Sequence, residues 1–323
     1  MAKNGPSFLS STLGQILVFL VAVTALWAGG AGFFLYKVTR PPRETTPLDP
    51  ADLLLRTEDV TFRTSDGLTL SGWLVKGAPK APVIILCHDL GGSRSTLLSS
   101  AVSLNRSGYP LLVFDFRGHG ASTGSGSTLG IDETKDIQAA VDFLKTRSDV
   151  DSSRIGIWGI GMGAYAGAQA ALDNPAIVAL ALDSLYPDVA AQVDRLGRAS
   201  VPPALHFLMP VLRAAYRPLL AMRSSGATLA GSLSRLADRN VLLIAAVDPP
   251  ERFAEQKALY DAIPEGPQGG KNFLQLKASV VTGLYAEDKK TYDDAIVRFF
   301  STNLPKTAGT RPPSGKAIQV LEP

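Results

Sequence analysis

Few side chains in this chain are equipped for chemistry. There are three histidines, His88, His119 and His206, and one cysteine, Cys87. No histidine follows His206, so the carboxyl-terminal third holds no imidazole base. Cys87 closes an apolar run and reads as a small core residue, and a single cysteine forms no internal disulfide. Glycine carries the sharpest local signal. Gly159-Ile160-Gly161-Met162-Gly163 follows the apolar run Ile155–Trp158 and precedes a helical pattern. A helix that starts in this way exposes several N–H groups, which form an anion site. Together with Ala164, and with Asp183 about 20 residues on, the glycines outline a Gly-x-Gly-x-x-Ala dinucleotide fingerprint.

Such positions need a frame. Short continuous apolar runs at Pro82–Cys87, Leu111–Phe116, Ile155–Trp158, Ile177–Leu182 and Val241–Val247 have the form of strands buried on both faces. Segments of helical period separate them: 96–104, 132–147, 165–172, 255–263 and 292–300. In the second of these, Ile137, Val141 and Leu144 share one face. The alternation predicts an α/β fold with a mostly parallel central sheet covered by helices on both faces. Ahead of it, Val60–Arg63 and Leu68–Leu74 alternate as a hairpin turning at Asp66-Gly67. Residues 185–240 break the pattern and read as a small helical cap. Its arginines, Arg195, Arg198, Arg213, Arg217 and Arg223, form a solvated face or touch a membrane surface.

The 323 residues carry 32 basic and 29 acidic side chains and are 46% hydrophobic, which excludes a disordered chain and allows a large core. The net charge of +3 gives no basic field, so no nucleic-acid partner is expected. Residues 16–36 are uncharged and have the length of a transmembrane helix; a cleaved signal ending near Ala28 or Gly30 and a buried helix are the competing readings. Lys37, Arg40, Arg43 and Arg56 flank its carboxyl end and Lys3 its amino end. Positive-inside counting places the soluble domain in the cytoplasm, whereas a short tail before one helix has the form of an exporting signal anchor. The division is then a tail (1–15), an anchor (16–36), a linker (37–57), the α/β domain (58–303) and a carboxyl-terminal tail (304–323) expected to be loose.

Three stretches in fixed order carry a family resemblance: "VIILCHDLGGSR" at 83–94, "LLVFDFRGHGAST" at 111–123 and "SRIGIWGIGMGAYAG" at 153–167. Together they resemble the alpha/beta-hydrolase superfamily, in its dienelactone-hydrolase and serine-aminopeptidase-like branch. The resemblance implies a nucleophilic serine on a strained Gly-x-Ser-x-Gly elbow, a histidine base, an orienting acid and two backbone oxyanion donors. Here Gly161 stands at the serine position, and Leu284, after Gly283, stands at the base position. Asp248 is the candidate acid, with Ala245 and Ala246 where His-Gly is usual. The implied oxyanion donors are the N–H groups of Leu90 and Met162.

His88-Asp89 replaces a His-Gly pair. The Asp89 carboxylate either opposes the developing oxyanion or caps the following turn. His88, Asp89, Gly161, Ser184 and His206 are the candidates for lining a pocket, and Asp183 with Ser184 shapes its rim. His88 and His119 read as hydrogen-bonding loop residues. The expected protein is a membrane-anchored, catalytically degenerate hydrolase-fold chain that binds a small ligand or a protein partner. No metal or cofactor is expected. The alternative is an ester, thioester or peptide hydrolase using displaced groups, with His206 from the cap or a water near Asp248. A dinucleotide binder is a third reading.

Overall fold

The computed structural model describes residues 12–43, 48–221, 228–265, 270–277 and 286–306. It divides into two compact units, Met1–Thr39 with Ala190–Gly226, and Arg40–Val189 with Ala227–Pro323.

The larger unit is built on one eight-stranded sheet. Its strands are β1 (Thr57–Arg63), β2 (Thr69–Val75), β3 (Pro82–Cys87), β4 (Leu111–Phe114), β5 (Asp151–Ile160), β6 (Ile177–Asp183), β7 (Asn240–Ala246) and β8 (Lys271–Leu276), in the order β1-β2-β4-β3-β5-β6-β7-β8. β1 and β2 form the expected hairpin, and β2 joins β4 antiparallel; the remaining pairs are parallel. All six residues of β3 and all four of β4 are buried, as continuous apolar runs require between two helical layers. The covering helices are α2 (Leu98–Arg106), α3 (Glu133–Lys145), α4 (Met162–Asp173), α8 (Pro250–Ala262) and α9 (Ala286–Asn303). On α3 the predicted face, Ile137, Val141 and Leu144, is wholly buried.

The expected linker and the start of the tail expected to be loose are both tied down. After the first helix, the Arg43 guanidinium donates to the carbonyl oxygens of Gly120 (3.1 Å), Ser122 (2.7 Å) and Gly124 (2.7 Å). At the other end the chain is docked through Lys306. Leu304 is buried, the Tyr109 hydroxyl donates to the carbonyls of Phe300 and Leu304, and Lys306 reaches the Ser107 carbonyl. The remainder of the tail lies outside the described residues.

The smaller unit joins α1 (Thr12–Val38) to the cap helices α5 (Val189–Ser200) and α6 (Met209–Ala221). A further short helix, α7 (Leu229–Ser232), belongs with the sheet unit. Within the smaller unit Val193, Met209 and Leu212 are buried, and Arg213 pairs with Asp194. Helix α1 is long and apolar enough to cross a membrane. Its most apolar window has a mean hydropathy of 2.1, and 6% of it is buried. The helix extends past the expected 16–36 at both ends, because nothing in Thr12–Gln15 or Lys37–Val38 breaks helical backbone.

Candidate functional site

At the carboxyl end of β5 the chain turns through Gly161, at φ 51° and ψ −110°, straight into α4. Only glycine adopts such a conformation without strain. The Gly161 N–H donates to the Asp183 carbonyl (2.9 Å), which fixes the turn against the end of β6. Gly163 serves close approach, since a Cβ there would fall on the carbonyl oxygens of Cys87 and His88. The glycine spacing thus serves the crossing of β5, β3 and α4.

The space in front of Gly161 is filled from within the chain. Asp89, in the loop after β3, places Oδ1 2.7 Å from the Met162 amide, which donates to it. A Cβ added at Gly161 would collide with this carboxylate, lying within 2.7 Å of even the farther oxygen, Oδ2. A carboxylate at a helix amino-terminus is favoured by the helix dipole and by a charge-assisted hydrogen bond. Asp89 therefore caps α4 across 73 residues of sequence. Met162 N–H, an expected oxyanion donor, already holds a negative oxygen. Leu90, the other expected donor, follows in the same half-buried loop.

Two histidines lock that loop. His88 Nδ1 donates to the Asp89 carbonyl (2.8 Å), while Nε2 accepts from the Phe116 amide (3.1 Å). His119 Nε2 accepts from the Gly91 amide (3.1 Å), and its Nδ1 donates to the Arg117 carbonyl (2.9 Å). These partners fix one neutral tautomer for each ring. The rings meet edge to face at 5.0 Å. Burial, with His119 alongside, lowers the His88 pKa to about 3. Burial lowers His119 as well. His88 is 1% exposed and packs inward against Phe116, so it supports the loop rather than lining a pocket.

Asp183 and Ser184 close β6. The Ser184 hydroxyl donates to Asp183 Oδ1 at 2.8 Å. Tyr292, on α9, also hydrogen-bonds Asp183, and it accepts from the Trp158 indole at 3.0 Å. Burial holds the Tyr292 hydroxyl well above its usual pKa, and therefore neutral. Residue spacing gave no sign of this cluster, since Trp158 and Tyr292 lie 134 residues apart. Ser184 directs its proton to a buried carboxylate rather than to an imidazole.

The remaining candidates do not gather at the elbow. Asp248 is exposed just beyond β7. His206 belongs to the smaller unit, where Nε2 faces the carbonyls of Arg198 (3.1 Å) and Val201 (3.0 Å) and must carry the proton. Gly283 and Leu284 lie outside the described residues. Among the described residues no group of three or more His, Cys, Asp or Glu could hold a metal ion. The dinucleotide outline loses its anchor, because the helix amino-terminus that would hold a pyrophosphate carries the Asp89 carboxylate.

The family model for serine aminopeptidase, S33, matches residues 77–249, more than half of the chain. The chain belongs to this family. Among curated proteins, an uncharacterized protein of Mycobacterium tuberculosis is 32% identical over 178 residues, covering 53% of this chain and 62% of that one. The alpha/beta hydrolase domain-containing protein WAV2 of Arabidopsis thaliana is 33% identical over 147 residues, covering 44% and 47%. The chain thus spans roughly half to three fifths of the length of these two relatives. The Pyrococcus furiosus esterase Pf2001 superposes with a TM-score of 0.66 at 24% identity, covering 82% of this chain and 99% of the esterase. That likeness speaks for the alpha/beta-hydrolase fold. Within the family frame this member carries glycine at the tip of the turn from β5 into α4.

Proposed function

We propose that this chain is a membrane-anchored, catalytically silent member of the S33 family that acts by binding a ligand or a protein partner. The observation that carries the reading is the Asp89 carboxylate on the Met162 amide, in front of a glycine at the tip of the elbow. Acyl transfer needs a nucleophile at that tip and an N–H free to receive the oxyanion. Gly161 offers no side chain, and a developing oxyanion would meet a like charge. The neutral, fully engaged rings of His88 and His119 support the same reading. Helix α1 supports the anchor by its length and hydropathy.

The test is fluorophosphonate labelling of the detergent-solubilised protein, with the modified residue located by mass spectrometry. The natural chain should stay unlabelled. Gly161→Ser alone should also stay unlabelled, because no histidine follows His206 to activate the new hydroxyl. A combined Asp89→Gly, Gly161→Ser, Leu284→His variant should gain label at position 161. Label on the natural chain at a defined serine, Ser184 for instance, would overturn the silent reading and assign the nucleophile.

A further inference from the structure

The amino-terminal helix and the cap line a half-open cavity of about 300 Å³. Trp27, Ala31 and Phe34 line it from α1, and Val201, Leu205 and Met209 line it from the cap. Ser200 adds a hydroxyl to an otherwise largely apolar wall. An apolar cavity of about 150 Å³ stays dry and accepts benzene, so this one has room for on the order of ten carbons. From Trp27 to Phe34 its wall follows two turns of α1, roughly 10 Å of rise. The space is a slot along the helix.

The surroundings of the slot favour hydrocarbon. Ile16, Phe19, Leu20 and Val21 are exposed on α1. In the same unit Leu205, Phe207 and Val211 are 42%, 72% and 45% exposed. The stretch Val201–Val211 carries no Asp, Glu, Lys or Arg, and its histidine is turned onto cap carbonyls. This surface, packed on a helix of membrane-crossing length, is suited to contact with lipid tails.

We propose that the slot is a binding site for one acyl chain of a membrane phospholipid, taken from the leaflet that the cap enters; this rests on the anchored reading above. Lipid tails are as apolar as leucine, so the chain is retained by packing against Trp27, Phe34 and Met209 rather than by escape from water.

The test uses the full chain in phosphatidylcholine vesicles doped with phosphatidylcholine that carries a photoactivatable diazirine on one acyl chain. Cross-links mapped by mass spectrometry should concentrate at Met209, Leu205 and Trp27. Gly30 lines the slot and Gly32 does not, and both have open space where a Cβ would stand. Gly30→Leu should lower labelling at Met209 about tenfold, because a bound chain would have to overpack the leucine. Gly32→Leu should leave labelling unchanged, and Leu205→Trp should repeat the loss from the cap side. Uniform labelling along α1, insensitive to Gly30→Leu, would overturn the site. Alkaline carbonate extraction of the same vesicles separates the two ideas. A chain that stays with the membrane but labels uniformly loses the site alone, and a chain released by carbonate loses the anchor and the site together.

Discussion

If Asp89 occupies the elbow, substitutions at positions 89 and 161 must be coupled. At Gly161, φ 51° and ψ −110° make any side chain strained, at about 2 kcal/mol. The new Cβ would also evict the Asp89 carboxylate from Met162, forfeiting a charge-assisted hydrogen bond worth about 1.5 kcal/mol at this half-buried position. Gly161→Ser should thus cost about 3.5 kcal/mol. Asp89→Gly should cost about 1.5 kcal/mol for the loss of the same bond. The double variant loses that bond once, so it should cost about 3.5 kcal/mol against a summed expectation of about 5. Thermal unfolding followed by tryptophan fluorescence would read this as a midpoint near that of Gly161→Ser, and about 3–6 °C above the additive value. Additive losses, within about 0.5 kcal/mol, would refute the claim that the two residues contend for one space.

Two further outcomes follow from the buried polar groups. His88 is held neutral, its pKa lowered to about 3 from an ordinary 6.5. Below pH 6.5 the unfolded chain binds a proton that the folded chain refuses, so stability should fall by about 1.4 kcal/mol per pH unit as acid is added, down to about pH 3. His119 shifts in the same direction and steepens the fall. Unfolding midpoints between pH 7 and pH 5 test this, with His88→Asn expected to flatten the profile; a flat profile for the natural chain would contradict the neutral assignment. Tyr292→Phe strands the buried indole N–H of Trp158 and should cost about 1–3 kcal/mol in denaturant unfolding, whereas unchanged stability would remove the hydrogen bond from the account.

Much of the frame was legible because its signals are local. The runs that became β3 to β7 are continuous and apolar, and the helical faces between them keep their period. β8 was harder to see. Its KNFLQL alternates and begins with a lysine, as suits the sheet's outer strand, so no apolar run marks it. β5 begins four residues before its apolar run, because Asp151–Arg154 extend it ahead of a register shift at Ile155/Gly156. At the site, the glycine elbow and the missing histidine could be read directly. Asp89 was legible as a carboxylate near the oxyanion position or as a turn cap. Its actual partner, the Met162 amide, lies across the fold, and no local spacing encodes that contact. The same holds for Arg43 on the carbonyls of 120–124, and for Tyr292 under Asp183.

The contact between Asp89 and the elbow also sets an order on substitution. While aspartate stands at position 89 in its present conformation, a serine at 161 has nowhere to place its Cβ. A glycine-to-serine change by itself therefore meets a steric barrier before any chemistry can reward it. A path that restores a nucleophile by the smaller first loss changes residue 89 first, through a protein that has lost a helix cap and gained no activity. A path into the present state by single steps runs in the opposite order, with the side chain at 161 gone before the carboxylate settles. The pair acts as a latch between two histories of the same fold, and it closes more easily than it opens.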